Sequence, residues 1–188
     1  MKETRFLEGF IENAREFFGD SAIIGGGAPR DAIHGKPIKD IDIFVKIDDS
    51  DNGHKQFVSN CELFAGAIDG KLTWRETEPG YTDHFNLADI EVDPDLFDNG
   101  VVKIEVIALY IDPANDVHAY DFGLSQVFVT PDGPFFSEKY AYDASDRTIS
   151  YYHDIGRSEA AHYRSKARLA RLRAKYPDWA FSGTELVS

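Results

Sequence analysis

The sequence predicts an α+β domain over residues 1–143, followed by a helical appendage over residues 144–188 that packs on it. Apolar residues recur at helical spacing between residues 3 and 18, which predicts an amphipathic helix. A glycine turn at residues 25–27 joins an apolar strand to a second helix, and the β-branched run at residues 101–110 predicts a buried strand.

The composition is that of a folded and acidic protein. Of the 188 residues, 43% are hydrophobic and 13% aromatic, which is enough to fill a core, and the formal net charge is −13. This charge argues against broad, non-specific binding of duplex nucleic acid. Residues 157–175 nevertheless carry seven basic side chains and one acidic one, a strip suited to a strand end or a triphosphate.

Cysteine content and hydropathy indicate the cellular compartment. Cys61 is the only cysteine, so an intramolecular disulfide is excluded, and no apolar run approaches 18 residues. No apolar segment follows the N-terminal charges as in a signal peptide. We expect a reducing, cytoplasmic setting without membrane association.

The elements of the first half follow from apolar periodicity and from end signals. They are a helix over 3–18 ended by Gly19, a strand over 21–24, a helix from the glycine turn to Gly35, a strand over 40–45 and a helix over 54–68.

The second half is predicted to add further strands and then helix. They are strands over 71–76, 87–92 and 101–110, an element over 121–130, a turn over 131–134, and helix over 144–175 interrupted near Gly156.

Residues 23–45 carry the chemistry. Gly26 and Gly27 precede a helix, where bare backbone N–H groups and the positive end of the helix dipole suit a phosphate. Asp40 and Asp42 stand two apart on a strand and therefore share one face, which makes an acidic pair suited to a divalent metal. Taken separately, the glycines are also typical of a tight turn that binds nothing, and the aspartates are typical of a solvated strand edge.

The segment GGAPRDAIHGKPIKDIDIFV resembles the head motif of the nucleotidyltransferase superfamily related to DNA polymerase beta. More narrowly, it resembles the tRNA CCA-adding enzymes and bacterial poly(A) polymerases. The matching positions are Gly26, Gly27, Arg30, Asp31, Gly35, Lys36, Asp40 and Asp42. Two later segments also resemble this branch: KIEVIALY, which contains Glu105, and DFGLSQ, which begins at Asp121.

The resemblance implies a small mixed or antiparallel sheet with helices on one face, and an activity. Asp40, Asp42 and Glu105 would be catalytic carboxylates that hold two Mg²⁺ ions, with Mn²⁺ as an alternative. The substrate would be an NTP such as ATP, and the acceptor an RNA 3′ end such as that of tRNA. The nucleotide contacts are expected from Gly26, Gly27, Arg30, Asp31, Lys36, Lys39 and Asp121.

Other interpretations of these residues stay open. Glu105 on its own would face solvent or pair with a lysine, Arg30 and Asp31 would form a helix-surface pair, and Asp121 would brace the site. The basic helix would pack through Leu169, Ala170 and Leu172.

The chain also departs from the family pattern. It has Ala119 and Tyr120 where arginines are usual, and little chain follows residue 150, so we expect the head without most of the tRNA-measuring helices. The alternatives to RNA modification are an idle nucleotide-binding or partner-binding module, or transfer to a protein or small-molecule hydroxyl.

Overall fold

The computed structural model describes residues 4–75, 84–93, 101, 103–152 and 159–183. The helices in this part are α1 (Arg5–Phe18), α2 (Gly27–Ile33), α3 (Asp51–Ala67), α4 (Pro113–His118), α5 (Glu138–Asp146) and α6 (Glu159–Lys175). The strands are β1 (Ile23–Gly25), β2 (Asp40–Lys46), β3 (Lys71–Arg75), β4 (His84–Glu91), β5 (Lys103–Leu109), β6 (Val127–Thr130), β7 (Gly133–Phe136), β8 (Thr148–Ser150) and β9 (Ala180–Ser182).

Seven strands form one sheet in the order β3-β4-β5-β2-β1-β6-β7. Within it β2 and β5 pair in parallel and the other described pairs are antiparallel. The predicted mixed or antiparallel α+β sheet is therefore confirmed. The parallel pair matters for function because its register sets Asp42 directly opposite Glu105.

Strand β2 divides its side chains between the two faces of the sheet, as a period of two requires. Ile41 and Ile43 are fully buried on one face, in the core that α1 and α3 cover. Asp42 and Phe44 lie on the opposite face, so the strand that supplies the core also presents the acidic pair.

The short helix α4 was not predicted, and it covers part of the second face. Pro113 occupies its first turn and the Asp112 side chain caps it by accepting a hydrogen bond from the Ala114 N–H. Val117 of α4 packs with Phe44 and Phe128 in a separate apolar cluster. The remainder of this face, at Asp42 and Glu105, lines a cleft.

The C-terminal part has its own core, formed by α5, β8, α6 and the turn at residues 122–125. The Asp143 carboxylate ties these elements together, because one oxygen accepts hydrogen bonds from the Leu124 and Ser150 N–H groups. Helix α5 runs across the predicted boundary between residues 143 and 144, and the division into two domains remains a prediction.

The predicted helix over 144–175 is wrong in its first part. Strand β8 intervenes and pairs in parallel with β9, some thirty residues further along, so local periodicity does not reveal it. The interruption expected near Gly156 lies outside the described residues. The described helices include none long and apolar enough to cross a membrane.

Phe64 of α3 is 1% exposed in the hydrophobic core and meets the rings of Phe10, Phe17 and Phe18 edge-on. We expect Phe64→Ala to lower the free energy of unfolding by about 3–5 kcal/mol through lost burial and a cavity. The neighbouring Leu63 is 60% exposed, and Leu63→Ala should cost under about 0.5 kcal/mol. Urea unfolding of both variants measures this, and equal losses would contradict the packing described.

Candidate active site

A cleft of about 690 Å³ lies between the open sheet face, the turn before α2, and α6. Eight of the ten residues that the sequence predicted for the site line it: Gly26, Gly27, Arg30, Asp31, Lys39, Asp40, Asp42 and Glu105. The structure therefore brings most of the predicted constellation together in one place. Lys36 and Asp121 are not among the lining residues.

The glycine turn is shaped by its contact with Asp42. Gly26 has φ of 69° and precedes the first residue of α2, and β1 pairs Gly25 with Asp42 of β2. A Cβ atom at Gly26 would lie 2.1 Å from Asp42 Oδ2. Only glycine fits here, because both the backbone angle and the close carboxylate exclude a side chain. A phosphate-binding role for this turn remains a prediction.

The carboxylates lie on one face of the sheet. Asp40 is exposed and Asp42 half-buried on β2, and Glu105 is half-buried opposite Asp42 on β5. Burial, together with the charges of Glu105 and Asp40, raises the pKa of Asp42 to about 7. The cations Lys103 and Arg30 offset this only in part. Near neutral pH the Asp42 carboxylate is therefore poised between its two protonation states.

Glu105 belongs to a cluster of two acids and two bases on β3, β4 and β5. Arg75 Nη2 lies 2.9 Å from Glu105 Oε2, and Lys103 Nζ lies 2.5 Å from Glu105 Oε1. The same two cations lie 3.4 and 3.2 Å from Asp89 Oδ1. The lysine pairing that the sequence left open is thus present. Asp89 and Arg75 were missed because their approach depends on the register of three strands.

The donor chemistry of the three carboxylates fits a hard divalent cation such as Mg²⁺ or Mn²⁺. The raised pKa of the half-buried Asp42 carboxylate, beside two further acids, also favours a cation. Among the described residues, no three acidic, histidine or cysteine side chains are yet grouped closely enough to hold a metal ion. To bind a metal ion, the Glu105 carboxylate would have to break its ion pairs with Arg75 and Lys103. Its role as a ligand stays a prediction.

Arg30 and Asp31 form a buried ion pair rather than a pair on the helix surface. They are 7% and 4% exposed, and Arg30 Nη2 lies 2.9 Å from Asp31 Oδ1. Lys175 of α6 donates to the other Asp31 oxygen, and Arg30 Nη1 lies 3.5 Å from Ser125 Oγ. Both residues line the cleft, and their contacts bind α2 to α6.

Asp121 holds α6, one wall of the cleft, in place. It is 1% exposed and accepts hydrogen bonds from Ser165 and Arg168 of α6. Lys36 is also directed elsewhere, with its Nζ 5.7 Å from the centre of the Tyr176 ring. Of the two predicted lysines, only Lys39 lines the cleft.

Helix α6 forms one wall of the cleft and explains the basic strip. Leu169 and Leu172 are buried, as the packing interpretation expected, whereas Ala170 is exposed. Arg168, Arg171 and Lys175 line the cleft from the same helix. The sequence indicated a basic helix, but the ion pairs that dock it join residues 47 and 144 positions apart and cannot be inferred from local pattern.

The raised pKa of Asp42 leads to a stability prediction. Between about pH 4 and pH 7 the folded protein holds more protons at Asp42 than the unfolded chain, so this residue lowers stability as the pH rises. Asp42→Asn should therefore stabilise the metal-free protein by about 1–2 kcal/mol near pH 8 and much less near pH 4.

Urea unfolding at both pH values, with a chelator present, measures this effect. Asp40→Asn serves as the control, because it removes an exposed carboxylate from the same strand and should change stability less. A change at Asp42 that is equal at both pH values would contradict the electrostatic explanation.

No protein-family model matches the sequence. No curated protein sequence matches it either. Solved structures do match: a CCA-adding enzyme in complex with CTP has a TM-score of 0.65 at 18% identity, over 97% of this chain and 44% of that chain.

Two further solved structures are similar to this chain. The Thermotoga maritima CCA-adding enzyme complexed with tRNA has a TM-score of 0.65 at 18% identity, over 97% of this chain and 43% of that one. A tRNA-processing enzyme in an apo form has a TM-score of 0.60 at 17% identity, over 93% and 44%. The chain thus spans less than half the length of these proteins. At such identities the likeness is one of fold, and this chain shares the fold of the matched part of these proteins.

Proposed function

We propose that this protein transfers a nucleoside monophosphate from an NTP to a hydroxyl acceptor without a template and releases pyrophosphate. The observation that carries the proposal is the contact between Gly26 and Asp42, with Asp40 and Glu105 on the same face of one cleft. This arrangement combines close backbone approach with a concentration of carboxylates. Phosphoryl transfer assisted by a divalent metal uses both features.

The residues of the chain divide into two groups around the substrate. Gly26 and Gly27 let the backbone approach the phosphates closely, because no side chain intervenes. Lys39 and Arg171 are exposed cations on the cleft wall and would contact phosphate oxygens. Arg30 is held by Asp31 and adds positive potential from the floor of the cleft.

Asp40, Asp42 and Glu105 would hold Mg²⁺, or Mn²⁺ in its place. Bound there, the metal would lower the pKa of the attacking hydroxyl and neutralise charge on the triphosphate. Asp42 would give up its proton on cation binding, which its pKa of about 7 makes inexpensive near neutral pH. Glu105 would separate from Arg75 and Lys103, and these two cations would then face the cleft edge beside Asp89.

An RNA 3′ end is the acceptor that we favour. Structures with the same fold include a CCA-adding enzyme complexed with tRNA. Three basic side chains of α6, Arg168, Arg171 and Lys175, line the cleft, while the whole chain carries −13. That distribution suits a strand end held locally better than a duplex held along its length.

An idle nucleotide-binding or partner-binding module is the second candidate. The observation in its favour is the ion pairing of Glu105, because Arg75 and Lys103 already neutralise one of the three predicted ligands. Transfer to a protein or small-molecule hydroxyl uses the same chemistry and differs only in the acceptor.

Incubation with each α-labelled NTP, Mg²⁺ and total RNA tests the proposal. We expect label transfer from at least one NTP, and a loss of about 10²-fold or more in Asp42→Asn, because a metal ligand is worth several kcal/mol at the transition state. The exposed Asp20, in the turn before β1, provides the matched control Asp20→Asn, which should retain full activity.

The same assay separates the alternatives. Label in protein or small-molecule fractions would change the acceptor but keep the chemistry. Nucleotide binding by calorimetry without transfer to any fraction would contradict the enzyme and favour the idle module.

A further inference from the structure

A second cleft, of about 380 Å³, opens where α2, α5 and α6 end. Its principal side chains are His34, Lys36, Arg147, Lys175, Tyr176 and Trp179. It contains none of the predicted carboxylates. Its combination of cations and aromatic rings is typical of sites that bind single-stranded nucleic acid.

The charges in this cleft are mainly positive. Lys36 and Arg147 are exposed, and neither takes part in an ion pair within the part of the chain that the structure describes. Lys175 contacts Asp31, and Asp178 is the one acidic residue among the lining side chains. Burial and the charge of Arg30 lower the pKa of His34, so the imidazole is neutral near pH 7. Arg147, and Lys36 with its Nζ over the Tyr176 ring, are therefore the two exposed cations that an anionic ligand would meet.

Lys36 and Arg147 each follow the C-terminus of a helix, where cations are favoured. Their backbone N–H groups bond the Asp31 and Asp143 carbonyls at the ends of α2 and α5. Arg147 has φ of 53°, a left-handed conformation that favours glycine or asparagine. An arginine in this position costs about 1 kcal/mol, which points to a use for its side chain.

The aromatic rings of the cleft pack against one another. The half-buried Trp179 ring lies 4.9 Å from the Tyr176 ring and 5.2 Å from His34, centre to centre. His34 in turn lies 3.2 Å from the Tyr140 hydroxyl. A fixed aromatic ring of this kind can stack on a nucleobase at little entropic cost.

The two clefts are adjacent, because Lys175 lines both of them. A strand lying in the second cleft would thus pass Lys175 and Asp31 before it reached the carboxylates. We propose that the second cleft binds the single-stranded segment next to the 3′ end of the acceptor, with Lys36 and Arg147 on its phosphates and Trp179 stacked on a base. This inference rests on the proposed function for the direction of the strand.

Fluorescence anisotropy with a labelled single-stranded RNA of about 12 nucleotides tests the phosphate contacts. Lys36→Gln/Arg147→Gln should weaken binding about 10-fold or more and reduce the slope of log affinity against log salt by about 1. The control Arg5→Gln/Lys55→Gln makes the same change in net charge at exposed positions outside both clefts. It should bind nearly as the wild type does.

Fluorescence of Trp179 tests the stacking contact without altering the cleft. The chain has two tryptophans, so Trp74→Phe leaves Trp179 as the reporter. We expect single-stranded RNA to quench its emission, and a duplex of the same sequence to do so much less.

Two results would overturn the assignment: equal weakening in both double variants, or unchanged Trp179 emission at saturating RNA. Competition by a polyglutamate peptide as effective as that by RNA would overturn it in favour of an acidic protein partner. If these tests fail while wild-type protein still transfers nucleotide to RNA, the cleft assignment falls and the proposed function stands. If RNA binds as expected but no nucleotide is transferred, the cleft assignment stands and the proposed function falls.

Discussion

The repulsion among Asp40, Asp42 and Glu105 is the constraint on which the site depends. The parallel pairing of β2 and β5 sets Asp42 beside Glu105, and the glycine turn encloses the Asp42 carboxylate so closely that only Gly26 fits. Burial and like charge raise the pKa of Asp42 to about 7. The fold thus concentrates negative charge on one face of the cleft. Arg75 and Lys103 offset part of this charge at Glu105.

Helix α6 completes the cleft through two buried anchors. The Asp121 carboxylate accepts hydrogen bonds from Ser165 and Arg168, and the Asp31 carboxylate accepts one from Lys175. Because buried carboxylates are costly without partners, these contacts fix α6 in position against α2 and the segment at Asp121. The same helix then presents Arg171 to the first cleft and ends at the second one. A change in the docking of α6 would alter both clefts together.

Local pattern predicted the elements that carry the site, and it did so for identifiable reasons. The glycine turn, the i and i+2 spacing of Asp40 and Asp42, and the apolar β5 strand are all visible within a few residues. Eight of the ten predicted side chains indeed line one cleft. Bracing by Asp121 was one of the alternatives left open, but its partners in α6 and the contact of Lys36 with Tyr176 were not visible, because they depend on packing from far along the chain. Strands β8 and β9 were missed for the same reason, since each is three residues long and is stabilised by the other.

Carbon-13 NMR of the Asp42 side-chain carboxyl, with and without Mg²⁺ and a non-hydrolysable NTP analogue, measures the protonation of this residue. We predict an apparent pKa near 7 for Asp42 in the free protein, and a clear fall when metal and nucleotide are added. An Asp42 pKa near its ordinary value of 3.8, with no response to metal and nucleotide together, would contradict it.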